Sequence, residues 1–219
     1  MNKKKLIFSL LLNIFTFLSV LICLIFILKN GNNPLRMFTN QTNLIAGIVS
    51  LIIIVFEILI LFKKLDKLPK IINIIKMIST TGVTLTLLVV VFYLGFVAIH
   101  EGYSYFILFN GANLFFHFLT PLSAIISFIF FESNSGIKKR YTLFNLLHMI
   151  SYTIFYAINV FSHLTADGKV QRKYDWYYFI NGENWTFIIV GIIMILATYL
   201  IGFLLWLLNK KIANKNYID

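Results

Sequence analysis

Residues 6–28 read LIFSLLLNIFTFLSVLICLIFIL, a run with no charged side chain. At ~1.5 Å per helical residue such a run reaches across the ~30 Å hydrocarbon core of a bilayer. Lys3, Lys4 and Lys5 precede it, as in a signal peptide, but the apolar run exceeds a usual signal core and no small-x-small cleavage site follows. It is read as a retained first span. Five further runs of the same kind follow at about 41–62, 80–100, 111–131, 142–162 and 186–208, and only the fourth holds a proline, Pro121. Backbone donors and acceptors in lipid must be satisfied within each segment, so these are helices. The alternating pattern of an outer-membrane barrel is absent. The expected fold is an all-α membrane protein, a six-transmembrane-helix bundle forming a single integral domain over residues 1–219.

Composition agrees. Of 219 residues 59% are hydrophobic and 12% charged, against about 25% charged in soluble domains. A soluble core of this size cannot hide so much apolar surface. That excludes a soluble enzyme, a secreted disulfide scaffold and a disordered chain. The single cysteine, Cys23, lies inside the first span, so no internal disulfide and no metal-ligand cluster is expected. No cofactor is expected.

The net charge of +11 has a topological reading. Lys and Arg number fourteen in the amino terminus, the 63–76 segment, the 138–140 segment and the carboxyl tail, against five in the alternate loops. This imbalance predicts both termini in the cytoplasm and a multi-pass protein of the plasma membrane. The expected partners are membrane lipids or lipid esters, not nucleic acid; oligomeric state is not readable. Lysines 63–76 alternate with Leu65, Leu68, Ile71, Ile72, Ile74 and Ile75, the pattern of an interfacial helix. The loop from His163 to Trp185 carries Tyr174, Asp175, Trp176, Tyr177, Tyr178 and Phe179. Such aromatics suit a headgroup boundary, with a lid over a lipid-accessible pocket as the second reading.

Polar groups in hydrocarbon cost free energy, so their helical phase is informative. Thr39, Asn43, Gly47, Ser50 and Glu57 form one stripe on the second helix at 100° per residue. Glu57, near the cytoplasmic end, is expected to pair with loop lysines or to snorkel to the interface. Asn113, His117 and Pro121 share a face of the fourth helix, and Asn145, His148, Tyr152, Tyr156, Asn159 and His163 form a ladder on the fifth. Ser9, Asn13 and Thr16 on the first helix read as helix–helix glue. His117 stands in a span otherwise built of Phe, Leu and Ile, where a neutral imidazole, the form a general base needs, is favoured.

Two strings carry a family likeness: Phe38-Thr39-Asn40-Gln41-Thr42-Asn43-Leu44, and Asn113-Leu114-Phe115-Phe116-His117-Phe118-Leu119-Thr120-Pro121. They resemble the androgen-induced and androgen-dependent six-span membrane hydrolases, which hydrolyse fatty acid esters of hydroxy fatty acids, and their small prokaryotic six-transmembrane relatives. In that family an aromatic-Thr-x-Gln-(Ser/Thr)-Asn motif opens the second helix, and a histidine followed four residues later by proline sits in the fourth. The resemblance implies a lipid ester hydrolase active toward the outer leaflet, with Thr39 as nucleophile and His117 as base. Asn43, Asn113 and Tyr156 are the candidate supporting groups. Thr42 is the alternative nucleophile. A lipid acyltransferase on the same chemistry, or a non-catalytic transporter or scaffold, are the alternatives.

The chemistry is coherent. A threonine hydroxyl needs a base within hydrogen-bond reach, and the unpaired N–H groups and positive dipole of a helix start favour a developing oxyanion. One magnitude opposes it. Counted from the cytoplasmic helix ends, Thr39 and His117 differ in depth by about 13 Å at ~1.5 Å per residue.

Overall fold

The computed structural model describes residues 3–132, 136–177, 179–180 and 186–215, without the side chains of Thr186, Phe187 and Lys215. Tyr178 and Trp185 lie outside the described residues. The chain is helical, and six helices are long and apolar enough to cross a membrane: α1 (Lys3–Lys29), α2 (Phe38–Leu61), α3 (Lys70–His100), α4 (Ala112–Phe131), α5 (Lys139–Phe161) and α6 (Thr186–Lys215). The outer surface is apolar, with Leu11, Ile22, Val55, Phe92, Ile158 and Leu196 among the exposed side chains, while serines, threonines and asparagines fill the interior. Lipid solvates the first set, and the second pairs within the protein.

α3 is the central helix and packs against α2, α4, α5 and α6. Its stretch Ser79-Thr80-Thr81-Gly82-Val83-Thr84-Leu85-Thr86 is buried throughout. Small side chains let four neighbours approach at once, and the hydroxyls of Thr81 and Thr84 return to the carbonyls of Met77 and Thr80 at 2.8 and 2.7 Å. The segment expected as an interfacial helix over Lys63 to Lys76 is instead a tight connection followed by the start of α3. α2 closes with Lys63 at φ 56°, Lys64 N–H on the Leu59 carbonyl and Lys63 N–H on that of Ile60, a left-handed C-cap. Pro69 then precedes the first helical residue, Lys70.

Lys76 therefore belongs to the bundle core and not to a loop; the loop count falls to thirteen basic residues against five, with the same sign. Its ammonium reaches Asn13 Oδ1 at 2.6 Å and Glu132 Oε1 at 3.4 Å. Asn13 Nδ2 donates to Glu132 Oε1 at 2.8 Å and to Glu57 Oε2 at 3.4 Å, and the hydroxyls of Ser9 and Ser127 also donate to Glu132 Oε1. Glu57 is thus met by Asn13 from α1, not by loop lysines. The expected glue on α1 is part of a buried charged centre, with Thr16 paired to Ser123 of α4 at 3.2 Å.

Three π-turns interrupt the spans: Val90–Leu94 in α3, and Phe115–Leu119 and Ser127–Phe131 in α4. In each, the amide after the turn bonds the turn's first carbonyl: Gly95 to Val90, Thr120 to Phe115, Glu132 to Ser127. When the helix then resumes its α pattern or ends, the turn's second carbonyl is passed over. Each passed-over carbonyl has a side-chain donor from another element. Tyr105 serves Val91 at 2.9 Å, Asn43 serves Phe116 at 3.1 Å, and Asn209 serves Phe128 at 2.6 Å. Pro121, which has no N–H, removes the remaining helical donor for Phe116.

Leaving a buried carbonyl unpaired costs about 1–3 kcal/mol. Asn43→Leu, Tyr105→Phe and Asn209→Leu are each expected to lower the unfolding free energy by that amount, measured by denaturant titration in detergent. Unchanged unfolding free energies in these variants would reject the carbonyl account.

Candidate functional site

A cavity of about 240 Å³ opens at the end of the bundle opposite the termini, walled by α2, α3, α5, α6 and the loop before α6. Its volume lies near the lower bound of ligand cavities (~300–1,000 Å³). Its wall is apolar except for hydroxyls, among them those of Thr39, Thr86, Tyr152, Tyr156 and Tyr177. The π-turn of α3 contributes Val90, Tyr93 and Leu94.

Thr39 is the second residue of α2, half-buried, and its hydroxyl makes no hydrogen bond among the described residues. The backbone amides of Thr39 and Asn40 lie in the first turn, beyond the reach of intrahelical acceptors. Thr42 is committed elsewhere: its hydroxyl donates to the Thr39 carbonyl at 2.9 Å and pairs with Thr86 at 3.2 Å. Asn43 is buried and spans two helices, with Nδ2 on the Thr39 carbonyl at 2.8 Å and on the Phe116 carbonyl. Its side chain fixes the first turn of α2 against the π-turn that carries His117.

The depth mismatch expected from the helix ends is mostly removed. α4 ends deeper than α2, because Glu132 sits level with Glu57 through their common partner Asn13. Counted from this shared level at ~1.5 Å per residue, Thr39 lies only about 5 Å beyond His117. His117 is half-buried, its Nδ1 within 2.7 Å of the Leu108 carbonyl, which orients the ring. It is not part of the cavity wall, and among the described residues no hydrogen bond joins it to Thr39. Asn113 is exposed and among the described residues makes no side-chain hydrogen bond; the partner of the imidazole is the Leu108 carbonyl.

A second histidine lies closer to the α2 start. The His148 ring stacks on Phe38 with centroids 5.0 Å apart, and its enclosed Nε2 has no partner. A Cβ placed at Gly82 would meet the Thr42 methyl at 3.0 Å and His148 Nδ1 at 3.5 Å. That glycine lets α2, α3 and α5 converge there. In the sequence His148 read as one rung of a ladder, and only the packing of Phe38 sets it apart.

The loop before α6 folds inward. Asp175, fully buried, accepts from the Tyr156 hydroxyl and from the amides of Phe179 and Ile180 at 3.1 and 3.2 Å. Tyr177 accepts the Phe38 amide, the first of α2, at 3.0 Å. Tyr152 donates to the Arg36 carbonyl at 2.9 Å and accepts from Trp176 Nε1 at 3.1 Å, while the Arg36 guanidinium lies 5.2 Å above the Trp176 ring. Burial pushes the Tyr177 hydroxyl up from its ordinary value, so it stays a neutral phenol. Of the described aromatics of this loop, Tyr177 and Phe179 line the cavity, while Tyr174 stacks on His163 and Trp176 packs edge-on against Tyr156. The sequence reading named Asp175, the single acid within that aromatic run, but gave it no role.

Among the described residues no group of three His, Cys, Asp or Glu is placed to hold a metal ion. The arrangement offers a hydroxyl without a hydrogen bond among the described residues at a helix start, imidazoles on the fourth and fifth spans, and an apolar chamber bordered by tyrosines. No protein-family model matches the chain, and no curated protein or solved structure is similar to it.

Proposed function

We propose that the protein is a membrane-embedded lipid ester hydrolase, with the acyl chain in the cavity and Thr39 as the nucleophile. The plasma membrane is its place, with both termini cytoplasmic and the site toward the outer leaflet. The observation that carries the reading is the uncommitted Thr39 hydroxyl in the wall of an apolar cavity, at the first turn of α2. An ester carbonyl beside Thr39 would have the positive end of α2 next to it.

In the first half-reaction the Thr39 proton passes to an imidazole as the hydroxyl oxygen bonds the carbonyl carbon. The alcohol then leaves with that proton, and water repeats the sequence to release the acid. A lipid hydroxyl in place of that water would make the same site an acyltransferase. His117 is assigned as the base, held by Asn43 through the α4 backbone; His148 is the competing base, set against Phe38.

Labelling of purified protein with a fluorophosphonate probe tests this. Thr39→Ala is expected to abolish labelling and Thr42→Ala to spare it. His117→Ala is expected to slow labelling by about 10²-fold or more, the usual worth of a general base. A loss seen with His148→Ala alone transfers the role to His148, and labelling that survives Thr39→Ala removes the threonine mechanism.

A further inference from the structure

The charged centre at the terminal end of the bundle plays no part in the ester chemistry, and it is built from residues that the membrane should exclude. Glu57, Lys76 and Glu132 are 0%, 1% and 3% exposed. They come from α2, α3 and the end of α4, and among the described residues the α1 and α6 groups hydrogen-bonded to the two glutamates or the lysine are the neutral Ser9, Asn13 and Asn209. Lys5, one turn before Ser9, is the next cation along α1 toward the tail.

One ammonium therefore faces two carboxyl groups. Leaving the second carboxylate ionised and unmatched in this setting is costly. The hydrogen bonds are unequal. Glu132 Oε1 takes the ammonium, the Asn13 amide and the Ser9 and Ser127 hydroxyls. Glu57 is met by Asn13 at 3.4 Å and by the Ser9 hydroxyl that it shares with Glu132, and its Oε1 has no partner. Glu132 Oε2 is likewise enclosed and unpartnered.

We infer that Glu57 and Glu132 form a binding site for one exchangeable proton, carried by Glu57 while Glu132 is the anion paired with Lys76. The donor set carries this: the ammonium, the Asn13 amide at 2.8 Å and the Ser127 hydroxyl converge on one oxygen of Glu132, which suits an anion, while Glu57 has the same amide at 3.4 Å and a share of the Ser9 hydroxyl, which suits a neutral acid. The binding step is the attachment of H⁺ to a Glu57 carboxylate oxygen and its release to solvent, with nothing else exchanged. Above the site, the buried hydroxyls of Ser50, Thr80 and Thr120 are also without partners. Ser50 lies two turns from Glu57 on the same face of α2, and Thr80 one turn from Lys76 on α3. Each can both donate and accept, and none is bonded to the charged centre. This inference stands apart from the ester reading and survives its failure.

Infrared difference spectroscopy on the full protein in lipid nanodiscs near neutral pH tests it. The expected result is a protonated-carboxyl carbonyl band that shifts in D₂O, disappears in Glu57→Gln, moves in Glu57→Asp, and persists in Asp175→Asn. A missing band, a band unmoved by D₂O, or a band that is lost in Asp175→Asn or retained in Glu57→Gln overturns the proposal. Unfolding gives an independent reading. Glu57→Gln, which replaces a neutral acid by a neutral amide, should keep the wild-type midpoint, and Glu132→Gln should lower it. The reverse order places the proton on the other carboxyl and also overturns the assignment.

Discussion

Lys76→Met is expected to destabilise the folded bundle by about 3–5 kcal/mol, because it strips a buried carboxylate of its counter-charge. The methionine fills a similar volume, so lost packing contributes little. Glu132 Oε1 would keep the Asn13 amide and two serine hydroxyls but lose the ammonium at 3.4 Å, and Asn13 Oδ1 would lose its 2.6 Å donor. The effect belongs to charge pairing, so removing the partner charge should reverse most of it. Lys76→Met with Glu132→Gln is expected to unfold close to the wild-type midpoint, measured by tryptophan fluorescence in detergent. Two independent, additive losses would show that Lys76 and Glu132 are not coupled, and the buried pair would have to be abandoned as a stabilising unit.

Gly47→Val should have a comparable effect through shape alone. A Cβ at Gly47 would come within 2.8 Å of Val20 Cγ1 and 2.9 Å of Val20 Cβ. The Cβ of Val20 is fixed to its backbone, so relief requires α1 to move away from α2 along their shared seam. That seam includes Val20 and Cys23, which pack with Phe116. Overpacking of this kind costs about 1–3 kcal/mol, and more when a helix must shift. Val20→Ala opens the facing side, and the double variant is expected to recover most of the loss. A Gly47→Val protein with an unchanged unfolding midpoint would mean that the two helices are looser than the contact distances require.

The six spans were legible because hydrocarbon imposes one requirement, length times apolarity, that a linear sequence displays directly. The errors arose where a residue's chemistry suggested one location and the packing assigned another. Lys76 reads as a loop lysine because an isolated ammonium belongs in water; only the convergence of Asn13 and Glu132 makes its burial tolerable. The Ser and Thr residues of α3 carried little polarity signal, yet they mark the central helix. Helical phase failed locally for a geometric reason. Each π-turn adds a residue to its loop of backbone, so a wheel drawn at 100° per residue slips across 90–94, 115–119 and 127–131. The shared face of Asn113, His117 and Pro121 was drawn through such a slip, and Asn113 is exposed. The Asn43 position was readable as part of a motif, but its pairing with the Phe116 carbonyl was not, since no side-chain pattern announces an orphaned backbone group.

The Tyr177 hydroxyl that covers the cavity is also the acceptor for the first amide of α2. Under the proposed ester reading, a lift of that loop to admit an acyl chain would also unfasten the turn on which Thr39 stands, with Arg36 drawn along through its hold on the Lys173 carbonyl. Entry and alignment would then share a single latch: the chamber would open only while the hydroxyl is slack, and the hydroxyl would be set only once the chamber has shut.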